Sequence, residues 1–188
     1  MKYFWMFLAG IVLIGFMVFG WYRQGYDQAI RLDEQVKSAW AQVENQLQRR
    51  NDLIPNLVNT VKGFAAQEKS ILTEVTRLRS QWGEAKSVSD KIDTANQLSS
   101  ALSRLLMVSE NYPQLKSNEN FMALQSQLEG TENRIAVERM RYNEAVQSLN
   151  SFHRSFFGRF FASSANVGEP VYFKAVESAK QVPTVNFN

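Results

Sequence analysis

The chain has 188 residues, 45% of them hydrophobic and 12% aromatic, enough for the core of one ordinary domain and too apolar for a disordered chain. Its 21 basic residues are interspersed with 18 acidic ones for a net charge of +3, so the clustered cations of a nucleic-acid footprint are missing. Cysteine is absent, which excludes disulfides, thiolate catalysis and cysteine-held metals.

Residues 3–22, YFWMFLAGIVLIGFMVFGWY, carry no charge. As a helix rising about 1.5 Å per residue this run is roughly 30 Å long, the thickness of a bilayer's hydrocarbon core. Tyr3, Trp5, Trp21 and Tyr22 sit at its ends, where amphipathic rings favour the lipid interface, and Lys2 and Arg23 close it. A cleaved signal peptide is the rival reading. Bulky Phe19, Trp21 and Tyr22 stand where a cleavage site needs small residues, so residues 1–23 are expected to form an uncleaved single-pass transmembrane anchor. A very short tail with Lys2, followed by such a span, favours a domain outside the cytoplasm.

Helical periodicity begins near Gly25. Ala29, Leu32, Val36, Trp40, Val43 and Leu47 step by three and four, the buried stripe of a first helix over 24–51. RRNDLIPNL at 49–57 then predicts a turn. Arg49 and Arg50 suit the negative end of one helix, Asn51 or Asp52 caps the next, and Pro55 falls in its first turn, where a missing amide hydrogen costs nothing. The alternative is one continuous helix with Pro55 inside it, at a cost of about 3 kcal/mol unless something compensates. The second helix, 53–83, carries Ile54, Leu57, Val58, Val61, Phe64, Ala65, Ile71, Val75, Leu78 and Trp82. GEAKSVSD at 83–90 reads as a turn with Ser89 or Asp90 as cap. A third helix holds Ile92, Ala95, Leu98, Leu102, Leu105 and Leu106; Pro113 ends it, and Ser117 or Asn118 caps the fourth.

In the fourth helix Phe121, Leu128, Ile135, Tyr142 and Leu149 recur every seven residues, the repeat of left-handed bundle packing. Its second seam, Leu124, Thr131, Glu138, Ala145 and Phe152, turns polar in the middle, with Glu132 and Arg139 alongside and Glu68 available on the second helix. A buried polar layer of Glu68, Glu132, Glu138 and Arg139 would fix helix register; a ligand site is the sharper alternative. Four helices with short connections predict an all-α fold: the transmembrane helix, then an antiparallel up-and-down four-helix bundle over 24–157. Residues 158–188 are expected to be an irregular tail packed on the bundle, with one short helix near 171–180.

In that topology the turns at 49–58 and 112–121 meet far from the bilayer. Arg49, Arg50, Asp52, Asn56, Tyr112, Lys116, Asn118 and Asn120 form a candidate interaction surface, unless they are only caps. RSFFGRFF at 154–161 places Phe156, Phe157, Phe160 and Phe161 at helical spacing among arginines, which suits either a membrane contact or a plug for the core.

QLQRRNDLIPNLVNTVKGFA, YPQLKSNENFMALQSQLEGTENRI and RYNEAV at 141–146 resemble signatures of the LemA family of bacterial membrane proteins, and the likeness runs from about Tyr26 to Pro183. The resemblance implies an N-terminal anchor in the bacterial inner membrane and an antiparallel helical bundle, with no established biochemical activity. Some relatives carry a lipoprotein signal instead of the anchor, which suits a periplasmic domain; this cysteine-free chain departs from that variant.

No phosphate-binding loop or dinucleotide fingerprint occurs. His153 is the single histidine, too few for a di-metal bundle, and it reads as a helix-end residue. No catalytic, metal or cofactor site is expected, and no nucleic-acid partner. The expected function is a non-enzymatic scaffold or adaptor that works through protein contacts and admits homo-oligomerisation; the alternative is a membrane-surface, envelope-remodelling protein that acts on lipid directly.

Overall fold

The computed structural model describes residues 2–174. They form helices and no strand: α1 Lys2–Phe64, α2 Lys69–Glu84, α3 Val88–Ser109, α4 Pro113–Lys116, α5 Glu119–Arg154 and α6 Gly158–Ser164. These residues fall into two compact units, 2–41 with 141–170 and 42–140 with 171–174, so α1 and α5 each supply a stretch to both.

In the first unit, residues 3–22 stand almost wholly exposed, and α1 is the one described helix long and apolar enough to cross a membrane. Further along α1, Ala29 and Val36 are buried, as are Tyr142, Val146 and Leu149 on α5. The Trp40 ring meets Tyr142 edge-on at 5.4 Å, while Trp21 meets Phe157 and Phe161 at 5.0 and 4.9 Å. The chain order of these contacts is opposite on the two sides, so the stretches run in opposite directions. Helix α6 ends in a Schellman turn: Val167 N–H donates to Ala162 O, Asn166 N–H donates to Ser163 O, and Asn166 takes the left-handed conformation at φ 54°. Asparagine tolerates that conformation better than most residues.

In the second unit one hydrophobic core joins Ile54, Leu57 and Val61 of α1, Val75 and Leu78 of α2, Leu98 and Leu105 of α3, Leu115 of α4, and Phe121 and Leu128 of α5. Each such side chain contributes about 1.5–3 kcal/mol when fully buried. The seven-residue repeat of α5 is a buried stripe, as expected: Phe121, Leu128 and Ile135 in this unit, and Tyr142 and Leu149 in the first, are all at 2% exposure or less.

The expected turn at 49–58 is absent. Helix α1 continues to Phe64 with Pro55 inside it, and the chain reverses at residues 65–68 instead. The legs 24–51 and 53–83 are therefore replaced by one long helix and the shorter α2. Proline at 55 cannot donate to the carbonyl of Asn51, four residues earlier. The structure supplies another donor: Arg79 Nε on α2 donates to Asn51 O at 3.0 Å. Asp52 is no cap but a mid-helix residue, accepting from Gln48 Nε2 at 2.8 Å.

The cap of α3 is also displaced. Ser87, rather than Ser89 or Asp90, holds the N-cap position; its Oγ accepts from Asp90 N–H and donates to Asp90 Oδ2. The serine thus satisfies one free amide of the first turn, and the Asp90 carboxylate takes up its hydroxyl proton. Helix α3 stops at Ser109, ahead of Pro113, which opens α4. Asn118 caps α5 as expected, its Oδ1 accepting from Phe121 N–H at 3.0 Å. Of the helix expected near 171–180, residues 171–174 are not helical and the remainder lies outside the described residues.

Candidate functional site

The residue that sequence reasoning placed at a helix end is the most buried charge described. Arg50 is 1% exposed. It sits on α1 at the third position after Leu47 and the fourth before Ile54, in phase with the core stripe, so an uninterrupted helix carries it inward. Its Nη1 donates to Ser99 Oγ at 2.6 Å and to Glu132 Oε1 at 3.0 Å, and its Nη2 donates to Ala95 O at 3.2 Å. Ser99 Oγ donates in turn to Ala95 O, which closes a polar circuit between α1 and α3. Burial pulls the Arg50 pKa below the ordinary guanidinium range, and the Glu132 carboxylate opposes that shift. The pair is asymmetric, a buried cation against a carboxylate still 41% exposed, and Arg50 Nε is left without a partner.

The polar layer is thus centred differently from the expectation. Glu132 belongs to it, but Arg50 supplies its cation. Arg139 is half-buried, with its guanidinium over the Phe173 ring at 4.1 Å; burial lowers its pKa, Glu132 opposes that, and Arg50 adds to it. Glu138 is half-buried. Glu68 is elsewhere, at the α1–α2 turn, where it accepts from Tyr112 Oη at 3.1 Å and holds that phenol above its ordinary range. Two turns therefore do meet, but the first is 65–68 and not 49–58. Arg49, Asp52 and Asn56 are exposed residues within α1, whereas Lys116 and Asn120 are exposed beside half-buried Tyr112 and Asn118. Arg50 leaves the interaction surface altogether, because the continuous helix turns it into the core.

Two grooves flank this interior. One, about 480 Å³, lies between α3 and α5 and is lined by Ser99, Ser103, Glu129, Glu132 and Asn133 over Leu102 and Leu128. The other, about 590 Å³, follows the α1–α2 hairpin: Val58, Ala66 and Leu72 give apolar surface, and Lys62, Lys69 and Arg77 give three cations and no acid. Thr76 and Ser80 of its wall spend their hydroxyl protons on Leu72 O and Thr76 O. Sequence reasoning missed this groove because it placed the chain reversal before Val58. With the turn at 65–68, Lys62 and Lys69 flank it, and that pairing was the available signal.

Around the end of the apolar run, Phe161 is buried while Phe156, Phe157 and Phe160 are exposed. Phe161 packs against Gly25, where a Cβ would lie 2.4 Å from its ring. Gly158, which begins α6, has no room for one either: a Cβ would meet the Phe152 carbonyl oxygen at 1.9 Å. His153 lies in the last turn of α5, as its sequence position implied, and is buried there.

The family profile described as LemA family matches residues 39–187. Among curated proteins, magnetosome protein MamQ 2 and magnetosome protein MamQ 1 of Paramagnetospirillum magneticum are each 26% identical to the chain, with 66% of the chain and 56% of each relative covered. The chain thus spans little more than half the length of these curated relatives.

Proposed function

The chain belongs to the LemA family, and from that membership and the geometry above we propose a membrane-anchored, non-enzymatic helical adaptor of the bacterial envelope, working through protein contacts and self-association. In this reading the apolar run crosses the inner membrane once, and residues 24–157 form an antiparallel up-and-down bundle on its periplasmic side. The observation that carries the reading is the α1–α2 groove, in which exposed Lys62, Lys69 and Arg77 border apolar Val58, Ala66 and Leu72. Apolar surface ringed by one sign of charge suits an acidic amphipathic helix, with its apolar face inward and its carboxylates at the rim.

A photo-crosslinker at Thr73 of the full chain, irradiated in native membranes, tests this. A discrete crosslinked protein is expected, and it should disappear when Lys62, Lys69 and Arg77 are together changed to glutamate while helicity and melting temperature stay unchanged. A crosslink indifferent to charge reversal would sink the groove as the contact surface. Crosslinks between copies of the chain would identify self-association as the contact.

A further inference from the structure

Phe156 is 90% exposed, Phe157 52% and Phe160 55%. Their neighbour Phe161 occupies the notch over Gly25, so that interior position is already filled. The Schellman turn at Asn166 closes α6 behind it, and the other three rings face outward. Phe157 lies edge-on to Trp21 at 5.0 Å and Phe160 lies 6.2 Å from Tyr22. Trp21 and Tyr22 are the last two residues of the uncharged run 3–22, so the exposed aromatic surface is continuous with the segment apolar enough to cross a membrane. Arg154 and Arg159 beside it are exposed.

We propose that residues 154–161 are a seat in the lipid interface: Phe156, Phe157 and Phe160 enter the boundary between headgroups and acyl chains, and Arg154 and Arg159 take up the phosphates of anionic lipids. Aromatic rings favour that depth, and a planar guanidinium matches a phosphate with paired hydrogen bonds. So short a segment binds a bilayer weakly alone, but the span holds it there at high effective concentration. The seat does not depend on the adaptor reading, since none of its residues lines the α1–α2 groove.

The cysteine-free chain permits a clean test. Single cysteines replace Phe156, Phe160 or, as a control, exposed Glu144, roughly 15 Å back along α5 at about 1.5 Å per residue. Each full-length variant carries an environment-sensitive fluorophore and is reconstituted into vesicles of phosphatidylcholine and phosphatidylglycerol containing shallow spin-labelled lipid. Quenching at 156 and 160 should exceed that at 144 several-fold and weaken when phosphatidylglycerol is omitted. Arg154→Gln with Arg159→Gln should abolish that lipid dependence. Quenching no greater at 156 and 160 than at 144 overturns the seat. A probe shielded from aqueous iodide yet untouched by lipid quencher, with self-quenching that grows with protein density, overturns it in favour of an interface between copies. Quenching indifferent to phosphatidylglycerol overturns the role of the arginines.

Discussion

Both units invert the usual distribution of side chains, and they do so in opposite places. In the second unit a guanidinium is buried, held by Ser99, Ala95 O and Glu132. In the first, three phenylalanines stand outside, two of them against the last rings of the apolar run. Both Nη atoms of the buried charge find partners within the protein, so its consequence is internal: it ties α1 to α3 and α5. The exposed rings find only part of their contact within the protein, so their consequence lies outside it. An inversion answered by its own chain speaks to folding, and one left open speaks to a partner.

The largest expected effect separates volume from charge at the buried site. Arg50→Ala should cost about 2–4 kcal/mol through the space it vacates, whereas Arg50→Met, of similar bulk, should stay within about 1 kcal/mol of the parent. Urea unfolding of the detergent-solubilised chain reads both. Equal losses for the two would mean that the charge itself holds the layer. Glu132→Ala strands the guanidinium, but Glu132 is 41% exposed, so the loss should be about 2 kcal/mol and not the full cost of a buried pair.

The notch of the first unit comes next. Gly25→Ala forces the Phe161 ring aside, at about 1–3 kcal/mol, and Phe161→Leu in the same chain should recover part of it. No recovery would place the strain elsewhere in α1.

Smaller again is the proline repair. Arg79→Ala leaves the Asn51 carbonyl without its donor and should cost about 1–2 kcal/mol. In a Pro55→Ala background the helix supplies its own amide, so the same substitution should cost close to nothing. A double-mutant cycle measures that coupling, and additive losses would show that Arg79 matters for another reason. The smallest effect belongs to the exposed rings: Phe156→Ser should move unfolding by less than about 0.5 kcal/mol. A loss beyond about 1 kcal/mol would make Phe156 part of the fold and erase the contrast between the units.

Features set by local pattern were readable from sequence. The uncharged run 3–22, the seven-residue stripe from Phe121 to Leu149 and the Asn118 cap needed only neighbours in the chain. What escaped depended on distant partners. Pro55 breaks a helix by local rules, and nothing near it announces Arg79, the donor that replaces the lost bond. Once a break was assumed there, Arg50 had to be a terminal cation. Yet Leu47, Arg50, Ile54, Leu57 and Val61 keep step without interruption, and that unbroken phase was the signal to weigh against the proline. The groove followed the same error, since its two walls exist only when the reversal falls at 65–68.

The Asn51–Arg79 bond also fixes an order of events during synthesis. Elsewhere in α1 a carbonyl finds its donor four residues later, but this one waits for a side chain 28 positions downstream. At roughly 5–20 residues per second, translation delays that donor by on the order of a few seconds. Until then water must solvate the Asn51 carbonyl, and α1 carries an open joint while it emerges from the ribosome. The joint closes when α2 docks, so the middle of the first helix is finished by the second.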